Sequence, residues 1–533
     1  MTSSYLSHKE TGFFSKMMLD YLSENENLKP FYQYDVEIES FAKIIAAKQK
    51  NNICNRAVLA DVLQKQYAHL AKNPLVEQNI QLLADEKTFV IVTGHQTNLF
   101  TGHLYFFYKI VSCINLCKQL KAFYPAYNFV PIYWMGSEDH DFEEINHVHL
   151  FRKTLTWQQQ QKGATGRINT ATLQSLFEEL KPLLGDSENA KKLYDLLEAA
   201  YLKQENLGKA TQYLVNELFG KYGLVILDQD SKILKSVFSE KIKEELLQQT
   251  AFEAVNQTNK ALEKADYHQQ AYIRNINYFY LTDTLRERIE FDGEDTYRIL
   301  NTDLKFSQAE ILAELEKYPE RFSPNVILRP LYQQFVLPCL AYIGGGGETA
   351  YWLQLKAMFE AFEVPFPMLI LRNSVLWIDK NATKKMKQIG LTKKDLFRNT
   401  EKLVVEYVQA NSDFKLDLFA QKKQLKDTFE EILEKALQID GGLRSSVVGE
   451  MTKLNKSIER LETKLLRAEK RKFETATQQI RNIKSRLFPN ESLQERHDNF
   501  IPFYLKYGDG FAAHLIEYLE PLRKSFLILS EEN

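Results

Sequence analysis

Sixteen residues, Trp134 to His149, hold five acids and three histidines. They read Trp-Met-Gly-Ser-Glu-Asp-His-Asp-Phe-Glu-Glu-Ile-Asn-His-Val-His and follow the apolar run Phe129 to Met135. Carboxylates and imidazoles this close shift one another's pKa values, as acid–base chemistry requires. A solvated loop with helix-capping acids has no need of Trp134, Phe142 and three histidines interleaved. An apolar run that breaks into a polar cluster reads as a buried strand delivering a loop to the end of a sheet, where open α/β sheets bind ligands.

Two further segments carry the same signature. Thr93-Gly-His-Gln-Thr-Asn-Leu-Phe-Thr-Gly-His-Leu-Tyr105 sits at a strand-to-helix transition. Gly94 and Gly102 permit close backbone approach, and a helix beginning at Gly102 offers N–H groups to an anion. Thr101-Gly-His103 is similar to the end of the HxGH signature of class I synthetases and nucleotidylyl transferases, without its first histidine. The third segment runs from Arg329 to Trp352 and contains Gly344-Gly-Gly-Gly-Glu348. Four glycines between a strand and a helix form a nest of N–H donors for a carboxylate or phosphate. Glu348 suits a helix start and can also bind an amine. Arg329 can grip a carboxylate with two parallel bonds or pair with an acid of the 138–144 loop.

The elements that must position these groups alternate. Strands are expected at 89–93, 129–135, 223–228, 339–343 and 367–371. Helical patterns lie at 102–120, 231–248 and 349–361. Such alternation argues an α/β fold with a doubly wound parallel sheet. Two polar, helix-rich insertions interrupt it near 152–215 and 250–322. From 376 to 498 glycine thins out. Met451, Leu454, Ile458, Leu461, Leu465 and Ala468 recur at helical spacing, opposite a stripe of Leu425, Phe429, Ile432 and Ala436. With Gly441-Gly442 as the turn, this is an antiparallel hairpin of coiled-coil type. The aromatic-rich segment 499–533 is expected to return to the core of residues 1–375.

Composition narrows the function classes. The chain has 533 residues, too many for one simple core. Its net charge of −2 gives no basic field for bulk nucleic-acid binding. No apolar run approaches the ~20 residues of a membrane span, and the N-terminus lacks a secretory pattern. The four cysteines form no CxxC pair. A cytoplasmic protein is expected.

Taken in order, GHQTNLFTGHLYFFYK (94–109), GSEDHDFEEINHV (136–148), RPLYQQFVLPCLAYIGGGGETAYW (329–352) and the late coiled coil resemble the bacillithiol biosynthesis cysteine-adding enzyme family. The resemblance spans essentially the whole chain, including Phe322-Ser-Pro-Asn-Val326. His103 and Gly346 stand where that family commonly has proline. The resemblance implies a Rossmann-like core with helical insertions and a coiled-coil arm that supports a homodimer. It implies a cysteine ligase that joins the cysteine carboxyl to the amine of glucosaminyl-malate, in the last step of bacillithiol biosynthesis.

Matched to that chemistry, the catalytic set is His95, Glu138, Asp139, His140 and Asp141. His140 or Asp141 is the expected base, and His95 stabilises charge on the reacting carboxyl. The binding set is Gln96, Asn98, Gly102, Lys109, Asn146, Arg329, Gly344, Gly345, Gly346, Gly347, Glu348 and Tyr351. Arg329, Lys109 and the glycine loop suit carboxylates; Asn98, Gln96 and Asp139 suit sugar hydroxyls. Activation of the carboxyl leaves ATP or another nucleotide, with magnesium, as an open requirement, since no KMSKS partner is present. Three rivals stand beside this reading. One is a class I synthetase-like nucleotidyl transferase. Another is a metal-dependent amide hydrolase using His147, His149 and His140; zinc is not expected, because histidines hydrogen-bonded in a pocket explain the same pattern. The last is a non-enzymatic role for the coiled coil.

Overall fold

The structure, a computed structural model, describes every residue except Arg152, Lys415, Leu416 and Asn533. Position 152, where the first insertion was expected to begin, two positions of the arm and the last residue lie outside the described residues. The chain forms two compact units. One comprises Ser3–Val375 with Glu495–Leu527, and the other Leu376–Gln494 with both chain ends.

The first unit is organised by five short strands rich in β-branched and apolar residues: β1 (Thr88–Gln96), β2 (Asn128–Gly136), β3 (Val225–Asp228), β4 (Cys339–Gly344) and β5 (Met368–Leu371). They lie in the order β5-β4-β1-β2-β3, every pair parallel. Order reverses between β1 and β4, which makes the C-terminal ends of those two strands the topological switch point. Strands buried on both faces read as continuous apolar runs. Phe89 and Ile91 of β1 pack with Cys113, Leu116 and Leu120 of the helix α1 (Tyr105–Phe123). Val90 and Val92 point the other way, into a core shared with α2 (Lys232–Gln248) and α3 (Arg329–Val336). Helices on both faces make the sheet doubly wound.

β1 runs on through Gly94-His95-Gln96, pairing His95 with Met135 and Gln96 with Gly136. The first polar residues are therefore held by the sheet ladder rather than by a loop. The helix expected from Gly102 starts at Tyr105. The residues between form a tight turn in which Phe100, Thr101 and Gly102 all have positive φ. A Cβ on Gly102 would lie 2.8 Å from the Asn98 Cβ. The four glycines are not one open loop either. Gly344 ends β4, Gly345 caps a helix, and Gly346 and Gly347 form the first turn of α4 (Gly346–Trp352).

The first insertion contributes helices Gln174–Leu184, Glu188–Tyr201 and Leu207–Phe219. The second begins with helix Thr250–Lys264 and then departs from the helix-rich expectation. It builds a five-stranded antiparallel sheet from Tyr278–Leu281, Arg286–Phe291, Thr296–Ile299, Lys305–Ser307 and Phe322–Pro324. Charged outward residues hid these strands: in Thr296–Ile299, Tyr297 and Ile299 are buried while Arg298 is exposed. The second unit contains an antiparallel hairpin of α5 (Phe419–Ile439) and α6 (Arg444–Lys472), joined through Gly441–Leu443. Among the described residues no helix is long and apolar enough to cross a membrane. All four cysteines are free and buried.

One ion pair ties the end of β2 to α2. Glu138 and Lys235 are both fully buried and in direct contact. Ser323 Oγ donates to the second Glu138 oxygen at 2.8 Å, and Lys235 donates to the Glu320 carbonyl at 3.0 Å. Removing one member leaves an uncompensated buried charge, so Glu138→Gln should cost about 3–5 kcal/mol. Urea denaturation of the two proteins measures this, and equal midpoints would refute it.

Candidate active site

A cleft of about 820 Å³ opens at the switch point. Gly94, His95 and Gln96 come from β1, Gly136 ends β2 and Asp139 and His140 follow it, and Gly345–Glu348 follow β4. The antiparallel sheet supplies Phe279, Arg286, Arg288 and Pro324, and α3 supplies Arg329. The lining carries Lys109 and six arginines (Arg274, Arg286, Arg288, Arg329, Arg372 and Arg496) against the carboxylates of Asp139 and Glu348. Such a surface attracts an anion.

Glu348 organises one side. Its Oε2 accepts from Lys109 Nζ at 2.5 Å and from the Gly345 N–H at 2.8 Å, and its Oε1 accepts from Tyr342 Oη at 2.7 Å. Burial alone would raise its pKa, but Lys109 and these bonds hold it at about 2. The glycine N–H that the sequence offered to a ligand is thus taken by Glu348 itself. Lys109 also donates to the Gly94 carbonyl at 2.8 Å. Arg329 donates to Tyr351 Oη at 2.6 Å. A Cβ on Gly94 would meet Tyr342 Oη at 3.0 Å and Arg329 Nη1 at 3.2 Å, so glycine is what lets this wall close.

The opposite side holds Asp139 and His140. Burial raises the Asp139 pKa, but Arg286, a 2.6 Å bond from Gln96 Nε2 and the His140 N–H bring it below the usual range. Arg286 Nη1 lies 2.8 Å from His140 Nδ1. A guanidinium only donates, so Nδ1 accepts and the neutral ring carries its proton on Nε2. Burial and then Arg286 lower the His140 pKa, in keeping with a neutral ring. Arg286 in turn stacks 4.0 Å over Phe279 and donates to Ser323 Oγ at 3.1 Å, the hydroxyl that bonds Glu138.

His95 packs between Tyr105 and Phe106. Its Nε2 is buried and has no hydrogen-bond partner among the described residues. Burial and then Lys109 hold its pKa well below 6.5, so the ring is neutral near pH 7. Arg372 stands above Tyr105, anchored to Glu495 at 2.7 Å, with its Nε buried and without a hydrogen-bond partner among the described residues.

Of the residues singled out from the sequence, His95, Gln96, Lys109, Asp139, His140, Arg329, Gly345, Gly346, Gly347, Glu348 and Tyr351 line the cleft together. The others lie off its lining. Glu138 stands behind Arg286 through Ser323. Asp141 is exposed ahead of the short helix Phe142–Ile145. Asn146 pairs with His147 Nδ1 at 3.1 Å. Asn98 and Gly102 belong to the buried turn, where Asn499 donates to the carbonyls of Phe100 at 2.9 Å and Gly102 at 2.5 Å. Gly344 accepts from the Arg372 N–H at 2.8 Å within the sheet layer. His149 stacks on His497 at 4.4 Å while His140 bonds Arg286, so the three histidines of the metal reading have different partners. Sequence reasoning missed Arg286, Arg372 and the rim arginines, which belong to no common motif. Arg372-Asn-Ser374 directly after an apolar strand was the one available signal.

Residues 1–373 match the family described as bacillithiol biosynthesis BshC, N-terminal Rossmann-like domain, and residues 375–531 match its C-terminal coiled-coil domain. A relative from Flavobacterium johnsoniae is 46% identical, covering 99% of this chain and 100% of its own. One from Flavobacterium psychrophilum is 45% identical, with 99% of both chains covered, and one from Christiangramia forsetii is 42% identical over the same shares. All three bear the name "Putative cysteine ligase BshC".

Buried histidines make stability depend on pH. Burial and then His149 push His103 down to about 4. Between pH 6.5 and 4 the unfolded chain binds a proton that the folded chain refuses, so stability falls as pH falls across that window. His103→Gln should flatten the decline, measured as urea midpoints at pH 7, 6, 5 and 4; parallel curves would remove His103 as a cause. The matches over the two consecutive segments, together with the three full-length relatives, establish that this chain belongs to the bacillithiol biosynthesis BshC family.

Proposed function

We propose that the protein is a cysteine ligase that forms an amide between the carboxyl of cysteine and the amine of glucosaminyl-malate, completing bacillithiol. The names of the relatives support the reaction class. The observation that carries the substrate is the cationic cleft around a neutral, unpartnered imidazole. The two malate carboxylates match the guanidinium faces of Arg286, Arg329 and Arg372, which favour planar, paired contacts. An amine that is protonated at neutral pH must lose a proton before attack. His95 Nε2, which has no hydrogen-bond partner among the described residues, is assigned to take it, on a ring that burial and Lys109 keep neutral. His140, its Nδ1 occupied by Arg286, presents an Nε2 proton to the oxygen that gains charge at the reacting carboxyl. The Arg286 bond favours this exchange of the roles first assigned to the two histidines. Gln96 and Asp139 suit sugar hydroxyls.

Amide formation from a free carboxylate is uphill in water, so the cysteine carboxyl must be activated. Purified protein is incubated with glucosaminyl-malate and either cysteine with ATP and magnesium or a pre-activated cysteinyl donor, and product is followed by mass spectrometry. Amide product is expected in at least one arm, with His95→Asn lowering kcat about 10²–10⁴-fold. Product in neither arm, or an unimpaired His95→Asn, would sink the assignment.

We also propose that the arm pairs with a second copy of this chain, in a cytoplasmic homodimer. Leu454, Leu461 and Leu465 of α6 are 44%, 52% and 46% exposed, and Ile432 of α5 is 42% exposed. In an isolated hairpin these heptad-like positions would face water, which a second apolar helix face corrects. Light scattering should give twice the chain mass for the protein, and the single chain mass for a Leu461→Glu, Leu465→Glu double variant with unchanged helical circular dichroism. A monomeric parent protein would refute it.

A further inference from the structure

The rim of the cleft is built with more care than an ordinary surface loop. Between helix Thr250–Lys264 and strand Tyr278–Leu281 the chain runs without regular structure, and Gln270, Ala271, Tyr272, Arg274 and Ile276 line the cleft. Two fully buried amide side chains hold this segment. Gln354 Oε1 accepts from the N–H groups of Gln270 and Ala271, both at 2.9 Å. Its Nε2 donates to Asn259 Oδ1 at 2.6 Å and to the Ala271 carbonyl at 3.1 Å. Asn277 Oδ1 accepts from the Arg274 N–H at 3.2 Å and from Asn325 Nδ2 at 3.1 Å. Its Nδ2 donates to the Arg274 carbonyl at 2.7 Å and to Glu245 Oε1 at 2.9 Å. Both amides make all four hydrogen bonds of which they are capable.

Between these clamps stands Tyr272, 73% exposed, on a backbone fixed on either side. A large aromatic face on a backbone fixed on both sides, with no ring against it among the described residues, loses less conformational entropy than one on a free loop when a ligand covers it. Asn325, the other partner of Asn277, accepts from the N–H groups of Ile327 and Leu328 just ahead of α3. One buried network therefore sets the rim ring and the helix that carries Arg329.

We infer that Tyr272 is a specificity-determining residue that stacks on the pyranose ring of the amino-sugar substrate, while the arginine floor takes its dicarboxylate. This assignment rests on the substrate reading given above. A flat ring packs against the axial C–H face of a sugar and leaves the hydroxyls to polar partners, here Arg274 and Arg288 of the same cleft lining.

Isothermal titration of the parent protein, Tyr272→Leu and Tyr272→Phe with glucosaminyl-malate and with malate alone separates the possibilities. Tyr272→Leu should bind glucosaminyl-malate roughly ten-fold more weakly, bind malate unchanged, and Tyr272→Phe should keep both affinities. Equal weakening for both ligands, no weakening for either, or loss in the phenylalanine variant would overturn the inference and leave the substrate reading standing. A parent protein that binds neither ligand would overturn the substrate reading and this inference with it.

Discussion

Glu348 accepts from donors on three elements: Lys109 on α1, Tyr342 on β4 and the Gly345 N–H that opens α4. A partly buried carboxylate with an ammonium and two neutral donors stays ionised, and an ionised Glu348 keeps Lys109 extended beneath the Gly94 carbonyl. That fixes the end of β1 against the end of β4, where strand order reverses. The position of His95, one residue beyond Gly94, follows from it. Gly94 completes the constraint, because any side chain there would push Arg329 and Tyr342 away.

Six of the seven cations of the cleft fall into two kinds, Arg329 being held instead by Tyr351. Lys109, Arg286 and Arg372 each have an acid within ion-pair distance: Glu348, Asp139 and Glu495. Their charge is partly balanced, and their geometry is fixed in return. Arg274, Arg288 and Arg496 are exposed at the rim and have no ion pair among the described residues. The rim therefore supplies the long-range attraction for an anion, which salt screens, and the floor supplies the oriented contacts. The proposed reaction between an anionic acceptor and a carboxyl needs both, since a field without orientation concentrates substrate but does not align it.

The sheet was legible because its strands are buried on both faces and so appear as plain apolar runs. Phe129 to Met135 and Cys339 to Ile343 needed no further information. The local neighbourhoods His95-Gln96, Asp139-His140 and Gly345–Glu348 were legible for a related reason: polarity that breaks out directly after such a run marks the strand's end. What could not be read was direction. Glu138 and Asp139 are adjacent, yet one turns into the core toward Lys235 and the other toward Gln96. Nor could the glycine run show that its first free N–H would be claimed by Glu348, three residues on. The second insertion hid its strands behind charged outward residues, and with them Arg286.

That hidden arginine changes the chemistry assigned to the visible histidine. Taken alone, His140 between two aspartates is a natural base, because acids raise an imidazole's pKa. Arg286, 146 residues further along the chain, opposes them and occupies Nδ1. The arginine is itself oriented by Ser323, which also bonds Glu138, and Glu138 is neutralised by Lys235. Because that last pair balances its own charge, Glu138 can orient Arg286 through a neutral hydroxyl without cancelling the guanidinium's charge toward the cleft. In the proposed assignment the proton-accepting role then passes to His95, whose Nε2 has no hydrogen-bond partner among the described residues, although Lys109 and Arg372 both lower its pKa. The proposed acid and base are separated by which imidazole nitrogen an arginine occupies, a distinction made by tertiary packing and not by the local cluster of acids and histidines.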